Sequence, residues 1–244
     1  MRNIWTIARR ELRLYFISPI AYIVMLVTLL ILGLIFYVSI MDAYMQQYTP
    51  PTIQVIIGPL VTIFLFSVPA LTMRTIADET RSGTLEIMMT SPVRDWELVV
   101  GKWLGTTLFY LILLAFTWVF AFMLNLIVIP GIDQGLLVSN YLGLFLLTGL
   151  FISIGVFASS LFSNQIASFF TGMGLLLLFW LIGLPAQVMG IYGNSLLSYL
   201  DIGSHFYNSF YLGVVDLKDV TYYITSIALF LFLAKAVIEI KRWR

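Results

Sequence analysis

Cysteine is absent from the 244 residues, which excludes disulfides, thiol nucleophiles and thiolate metal sites. Charge is scarce as well. Asp, Glu, Lys and Arg make up 10% of the chain, against roughly 25% in ordinary soluble domains. The net charge of +1 gives no argument for a nucleic-acid partner. What fills the space is apolar: 61% of residues are hydrophobic and the mean hydropathy is +1.00. The chain reads as an all-α polytopic membrane protein, one membrane domain over residues 1–244 with no room for a sizeable soluble domain.

Six runs are long and apolar enough to cross a bilayer: Pro19 to Met41, Thr52 to Met73, Trp103 to Ile129, Leu136 to Leu161, Ile166 to Met189 and Val220 to Ile238. They are continuous rather than alternating, so they predict helices and not barrel strands. The first run is too long for a signal-peptide core and is followed by no A-x-A-like cleavage site, so it reads as a retained helix. Six spans place 12 of the 13 basic residues on one side, with only Lys218 on the other. The positive-inside bias then puts both termini and the loop after span two in the cytoplasm of a cell whose inner membrane holds the protein.

No Asp, Glu or His stands in the central part of any span. An ion-coupled carrier or an intramembrane hydrolase needs at least one, so the driving force must come from elsewhere. The chain does not supply it by binding nucleotide. Its one Gly-Lys pair, Gly101-Lys102, has Trp96 where a P-loop needs its first glycine and Trp103 where it needs Ser or Thr.

The exception to the shortage of charge is a segment between spans two and three. Eight of the 25 charged residues fall between Arg74 and Glu97, so residues 74–97 form a polar loop on an oily body. Pro69 is expected to distort the end of span two, and Met73 to Arg81 to continue it as a polar helix. Ser82-Gly83 then breaks the helix, glycine permitting the positive φ of a sharp turn. Thr84 to Thr90 predicts a short second helix, with Glu86 in its first turn and Leu85, Met88 and Met89 on an apolar face. Ser91-Pro92 reads as an N-cap and first helical position opening the run into span three. Such a helix suits insertion into a partner's groove, whereas a plain connector would leave its apolar face uncovered.

Residues 1–18 predict an amphipathic helix on the membrane surface. Arg2, Thr6, Arg9, Arg10 and Arg13 gather on one side; Ile4, Trp5, Ile7, Ala8, Leu12, Tyr15 and Phe16 take the other. Glu11 projects among the apolar residues. Two readings stay open for it: snorkelling or pairing with a nearby arginine, or contact with another cytoplasmic element.

Residues 192–219 are dense in aromatics, with Gly193, Gly203 and Gly213 as breaks, and predict interfacial or re-entrant helices on the outer face. His205, the one histidine, has no neighbouring carboxylate in sequence and reads as a hydrogen-bonding residue rather than a metal ligand or general base. Glycines 143, 149, 155, 172, 174 and 183 in spans four and five permit close packing.

The pattern E-x-x-x-G-T-L-E-x-x-x-x-x-P, here Glu79, Gly83, Thr84, Leu85, Glu86 and Pro92, is followed by Gly101-Lys102 at the start of a span. In that combination it resembles the signature of ABC transporter permeases of the type 2 exporter class. The runs Arg10 to Ile23 and Ser204 to Tyr223 resemble the gliding-motility subgroup and its nitrous-oxide-reductase maturation relatives. The resemblance covers nearly the whole chain. It implies a coupling helix near Thr84 to Thr90, including Met88 and Met89, docking on a separate ATP-binding subunit that carries the ATP and Mg. It implies no cofactor on this chain, a second permease copy or a homologous permease beside it, and surrounding membrane lipid. A membrane scaffold that recruits cytosolic partners without transport is the alternative reading of the same loop.

Overall fold

The structure is a computed structural model that describes residues 2–46, 51–84, 93–129, 131–183, 197 and 199–242. Helices and turns account for these residues, with no strand among them. Helix α1 (Arg2–Ile17) leads into α2 (Pro19–Gln46) through Ser18, whose N–H is still bonded to the carbonyls of Leu14 and Tyr15. The chain continues through α3 (Gln54–Thr72), the short α4 (Ala77–Arg81), α5 (Asp95–Ile127), α6 (Gln134–Leu161) and α7 (Gln165–Leu181). Helix α8 (Ile202–Tyr207), a 3-10 turn (Phe210–Leu212) and α9 (Leu217–Arg242) complete it.

Five helical segments are long and apolar enough to cross a membrane: Pro19–Met45, Gln54–Arg81, Asp95–Ile127, Gln134–Leu161 and Leu217–Arg242. The sequence predicts a sixth at Ile166 to Met189. Its described part, α7, is apolar but only 17 residues long, and the remainder lies outside the described residues.

Helix α6 is the axis of the bundle. It is buried along most of its length and packs against α3, α5, α7 and α9. Gly155 of α6 is pressed against Thr72 of α3, leaving no space for a Cβ. Gly174 meets nothing within 4 Å, so the expectation of close packing fails there: it lies on an exposed face of α7. Helix α2, by contrast, is exposed over most of its surface, as a helix solvated by lipid is.

One expectation about the loop is corrected. Span two does not run on as one helix from Met73 to Arg81; residues 73–76 form a turn, and α4 begins afresh at Ala77. The cause is Ser159 of α6. Its hydroxyl accepts the N–H groups of Ile76 (3.1 Å) and Ala77 (3.0 Å) and donates to the Met73 carbonyl at 3.1 Å, replacing helical bonds with tertiary ones. Ser91 and Pro92, expected to open the helix of span three, lie outside the described residues. Helix α5 starts at Asp95 with Arg94 extended before it, two turns ahead of the expected Trp103, because Glu97 turns back to accept the Arg94 N–H at 3.1 Å.

Candidate functional site

Helix α1 is laid on α5 by two glycines one turn apart. A Cβ at Gly101 would stand 2.7 Å from Ile7 Cβ, and one at Gly105 would stand 2.5 Å from Glu11 Cβ and 2.9 Å from the Ala8 carbonyl. No larger residue permits this approach without moving α1. Asn3 fastens the same seam by donating to Glu97 at 3.1 Å. Ile7, Ala8 and Tyr15 are buried against α5, while Arg9 and Arg10 stay exposed. Trp5, expected with the apolar group, is 60% exposed, as suits the rim of a helix at a membrane surface.

The seam delivers Glu11 to Lys102. Lys102 is fully buried, and its three ammonium protons have three acceptors: Glu11 Oε1 at 2.6 Å, Glu79 Oε1 at 2.9 Å and the Thr75 carbonyl at 2.6 Å. Of the two readings open for Glu11, contact with another element is the one observed, and the partner is a lysine of α5. The Thr75 carbonyl is within reach because the turn at residues 73–76 releases it from helical bonding. One cation thus joins the leader helix, the end of span two, the first helix of the charged loop and the start of span three.

The cluster carries two carboxylates to one ammonium. The second oxygen of Glu79 is buried without a hydrogen-bond partner among the described residues. Beyond Glu79, α4 ends at Arg81 with Ser82 as its C-cap, and Gly83 takes a φ of +72°, the positive value the sequence predicts. Thr84 is exposed. Leu85, Glu86, Met88, Met89 and Pro92 lie outside the described residues, as does the predicted helix Thr84 to Thr90 beyond its first residue. Asp78, the residue before Glu79 on α4, accepts a hydrogen bond from Gln165 at the start of α7. Arg242 at the end of α9 reaches Asp95 at 3.2 Å. The described basic residues other than Lys218 therefore share one end of the bundle.

Lys218 and a second buried pair occupy the opposite end. His205 is not isolated from carboxylates, as its sequence neighbourhood suggests: its Nδ1 lies 2.6 Å from Asp219 Oδ1, and its Nε2 lies 2.9 Å from the Tyr199 carbonyl. Both partners present acceptor oxygens, one to each ring nitrogen. Tyr222 stacks on it at 3.9 Å. Helix α8 and the 3-10 turn fit the expected short helices over residues 192–219. Gly213 breaks the chain at φ +89°, Gly203 sits inside α8 instead of breaking it, and Gly193 lies outside the described residues. Among the described residues no group of three or more His, Cys, Asp or Glu could hold a metal ion.

Sequence reading found Glu11, Glu79, Gly101 and Lys102 without joining them. It missed Thr75 and Ser159, whose parts depend on a helix break with no local signal. No curated protein matches the chain significantly. Residues 36–238 match the family model described as ABC-2 family transporter protein, a region that holds Glu79, Gly83, Gly101 and Lys102 and leaves Glu11 before it. Taken with the apolar helical bundle, that match shows that the chain belongs to the ABC-2 transporter family, whose members are membrane transport components.

Proposed function

We propose that the chain is the permease subunit of an ATP-driven exporter and forms the translocation path with a second copy or a homologous permease. Its resemblance is to the gliding-motility and nitrous-oxide-reductase maturation subgroup. In this reading the protein sits in the plasma membrane with six spans and both termini cytoplasmic. ATP and Mg belong to a separate ATP-binding subunit, which the loop through Leu85, Glu86, Met88 and Met89 engages.

The observation that carries the reading is the buried Lys102 cluster. A loop that merely connected two spans would have no need of a desolvated lysine holding it to a third element, since burying charge is costly unless every group is paired. Through Lys102, displacement of α4 by the ATP-binding subunit reaches α1 and α5 together. The basic end then moves as one piece, and α5 carries that movement across the bilayer. Gly83 supplies the turn between this piece and the docking segment.

Co-purification with the ATP-binding subunit and stimulated ATP hydrolysis test this. Leu85→Asp or Met89→Asp places a charge in the proposed interface and is expected to abolish both while insertion into the membrane survives. Gly83→Val is expected to preserve insertion and lose stimulation. Unchanged binding and hydrolysis in the Asp variants would reduce the loop to a connector.

A further inference from the structure

A cavity of about 250 Å³ opens beside the Lys102 cluster, between α1, the start of α2 and the end of α3. Its polar wall includes Glu11, Ser18, Arg74, Thr75, Asp78 and Glu79, and its apolar wall includes Leu14, Ile20 and Leu71. Arg74 is exposed and has no ion-pair partner among the described residues. Asp78 gives one oxygen to Gln165 and keeps the other. A cation and carboxylates, not a single sign of charge, therefore face the same space.

A separate apolar groove lies between α2 and α3. Val24, Val27 and Ile31 line it on one side and Ile63 and Phe66 on the other. Val24 lies one helical turn beyond Ile20, and Ser67, also in the groove, one turn from Leu71, so cavity and groove follow one another along the same two helices. From Ile20 to Ile31 the helix rises about 16 Å, close to half of the roughly 30 Å hydrocarbon core. The length is that of one leaflet.

We infer that cavity and groove together bind one phospholipid with a primary-ammonium headgroup, phosphatidylethanolamine, from the leaflet at the basic end of the bundle. The acyl chain lies between α2 and α3. Arg74 takes the phosphate, and the ammonium donates to the free oxygen of Asp78, with Glu79 on the same wall. Phosphatidylcholine fits the groove but has no N–H to donate, and phosphatidylglycerol brings no cation to the carboxylates. The site rests on charge and length alone and holds whether or not the chain couples to an ATPase.

The test uses the full chain reconstituted into vesicles with equal parts of phosphatidylethanolamine, phosphatidylcholine and phosphatidylglycerol, followed by extraction and mass spectrometry of retained lipid. Phosphatidylethanolamine is expected to be enriched about fivefold or more over either competitor, the scale of one added charge-assisted hydrogen bond. Asp78→Asn should bring its ratio to phosphatidylcholine close to one, and Val27→Trp should lower retention of all three. Equal retention by the unmodified protein, a preference for phosphatidylglycerol, or an unchanged ratio in Asp78→Asn would each overturn the assignment. The comparison in the unmodified protein needs no variant to fold.

Discussion

The two ends of the bundle each bury a basic side chain, and they bury it differently. At the basic end Lys102 is shared among Glu11, Glu79 and the Thr75 carbonyl, which lie 91, 23 and 27 residues away in sequence. At the opposite end His205 meets one carboxylate, Asp219, 14 residues on, and is covered by a stacked tyrosine. The first arrangement ties distant elements into one joint and leaves a carboxylate oxygen in reserve; the second closes a short local loop with its partners matched. The first suits a part that transmits movement, the second a cap that stays in place.

The strongest way to break the comparison is to remove the shared cation. Lys102→Met leaves two buried carboxylates without a counter-charge, and losing one partner of a buried pair costs on the order of 3–5 kcal/mol. Thermal unfolding of the purified variant should show a loss of that size, with α1 released from α5. A loss no larger than that of an exposed ion-pair variant would mean that water reaches the cluster and that the joint is not buried.

His205→Gln sharpens the same comparison. Glutamine carries both of its N–H donors on one nitrogen and cannot reach the positions of both ring nitrogens, so either Asp219 or the Tyr199 carbonyl loses its partner, at about 1–3 kcal/mol. The effect should be confined to the cap, read as faster hydrogen exchange in α8 with α1 and α4 unchanged. Spread of the effect to α4 would show that the two ends are not separate devices.

How far the sequence reveals each end follows from where the hydrogen bonds go. The α1 amphipathic pattern, the glycine turn at Gly83 and most of the span positions are visible because local periodicity and backbone sterics cause them. Glu11 stands out as a charge on an apolar face, yet its partner lies 91 residues away and local patterning has no access to it. The turn at residues 73–76 has no proline or glycine to announce it, because Ser159 of another helix creates it. The pairing of His205 with Asp219 is hidden for the same reason at shorter range: only the fold of α8 back onto α9 brings them together.

Gly105→Val probes the seam without touching a charge. The added methyl groups meet Glu11 and the Ala8 backbone, an overpacking cost of about 1–3 kcal/mol. Cross-linking between α1 and α5 should weaken. Gly83→Val is smaller in stability, about 1–2 kcal/mol, since a Cβ there meets nothing within 4 Å and only the positive φ is at issue. Gly83→Asn should recover most of that difference, because asparagine tolerates the left-handed region; equal effects of Val and Asn would refute a purely conformational cause.

The smallest expected effect lies in the cap. Burial holds the Asp201 carboxyl above its usual range, against the N–H groups of Gly203 and Ser204 and the charge of His205 that favour ionisation. A carboxyl raised in the folded state binds more protons there than in the unfolded state. Stability therefore falls as pH rises through the window between the unfolded and folded values, and the penalty is fully present above it. Asp201→Asn keeps an acceptor for the Gly203 N–H and removes the charge, so stability at neutral pH should be unchanged or slightly higher. Asp201→Ala should lose about 1 kcal/mol with the cap.

The absence of cysteine makes the central claim directly measurable, because labels at Arg10→Cys and Arg81→Cys report on α1 and α4 without background sites. Both positions are exposed, and double electron–electron resonance between spin labels there gives the distribution of distances across the Lys102 joint. The account predicts one narrow distribution in the otherwise unmodified protein and a broad or shifted one when Lys102→Met is added. Identical distributions with and without Lys102 would contradict it, and the leader and the loop would then be independent parts.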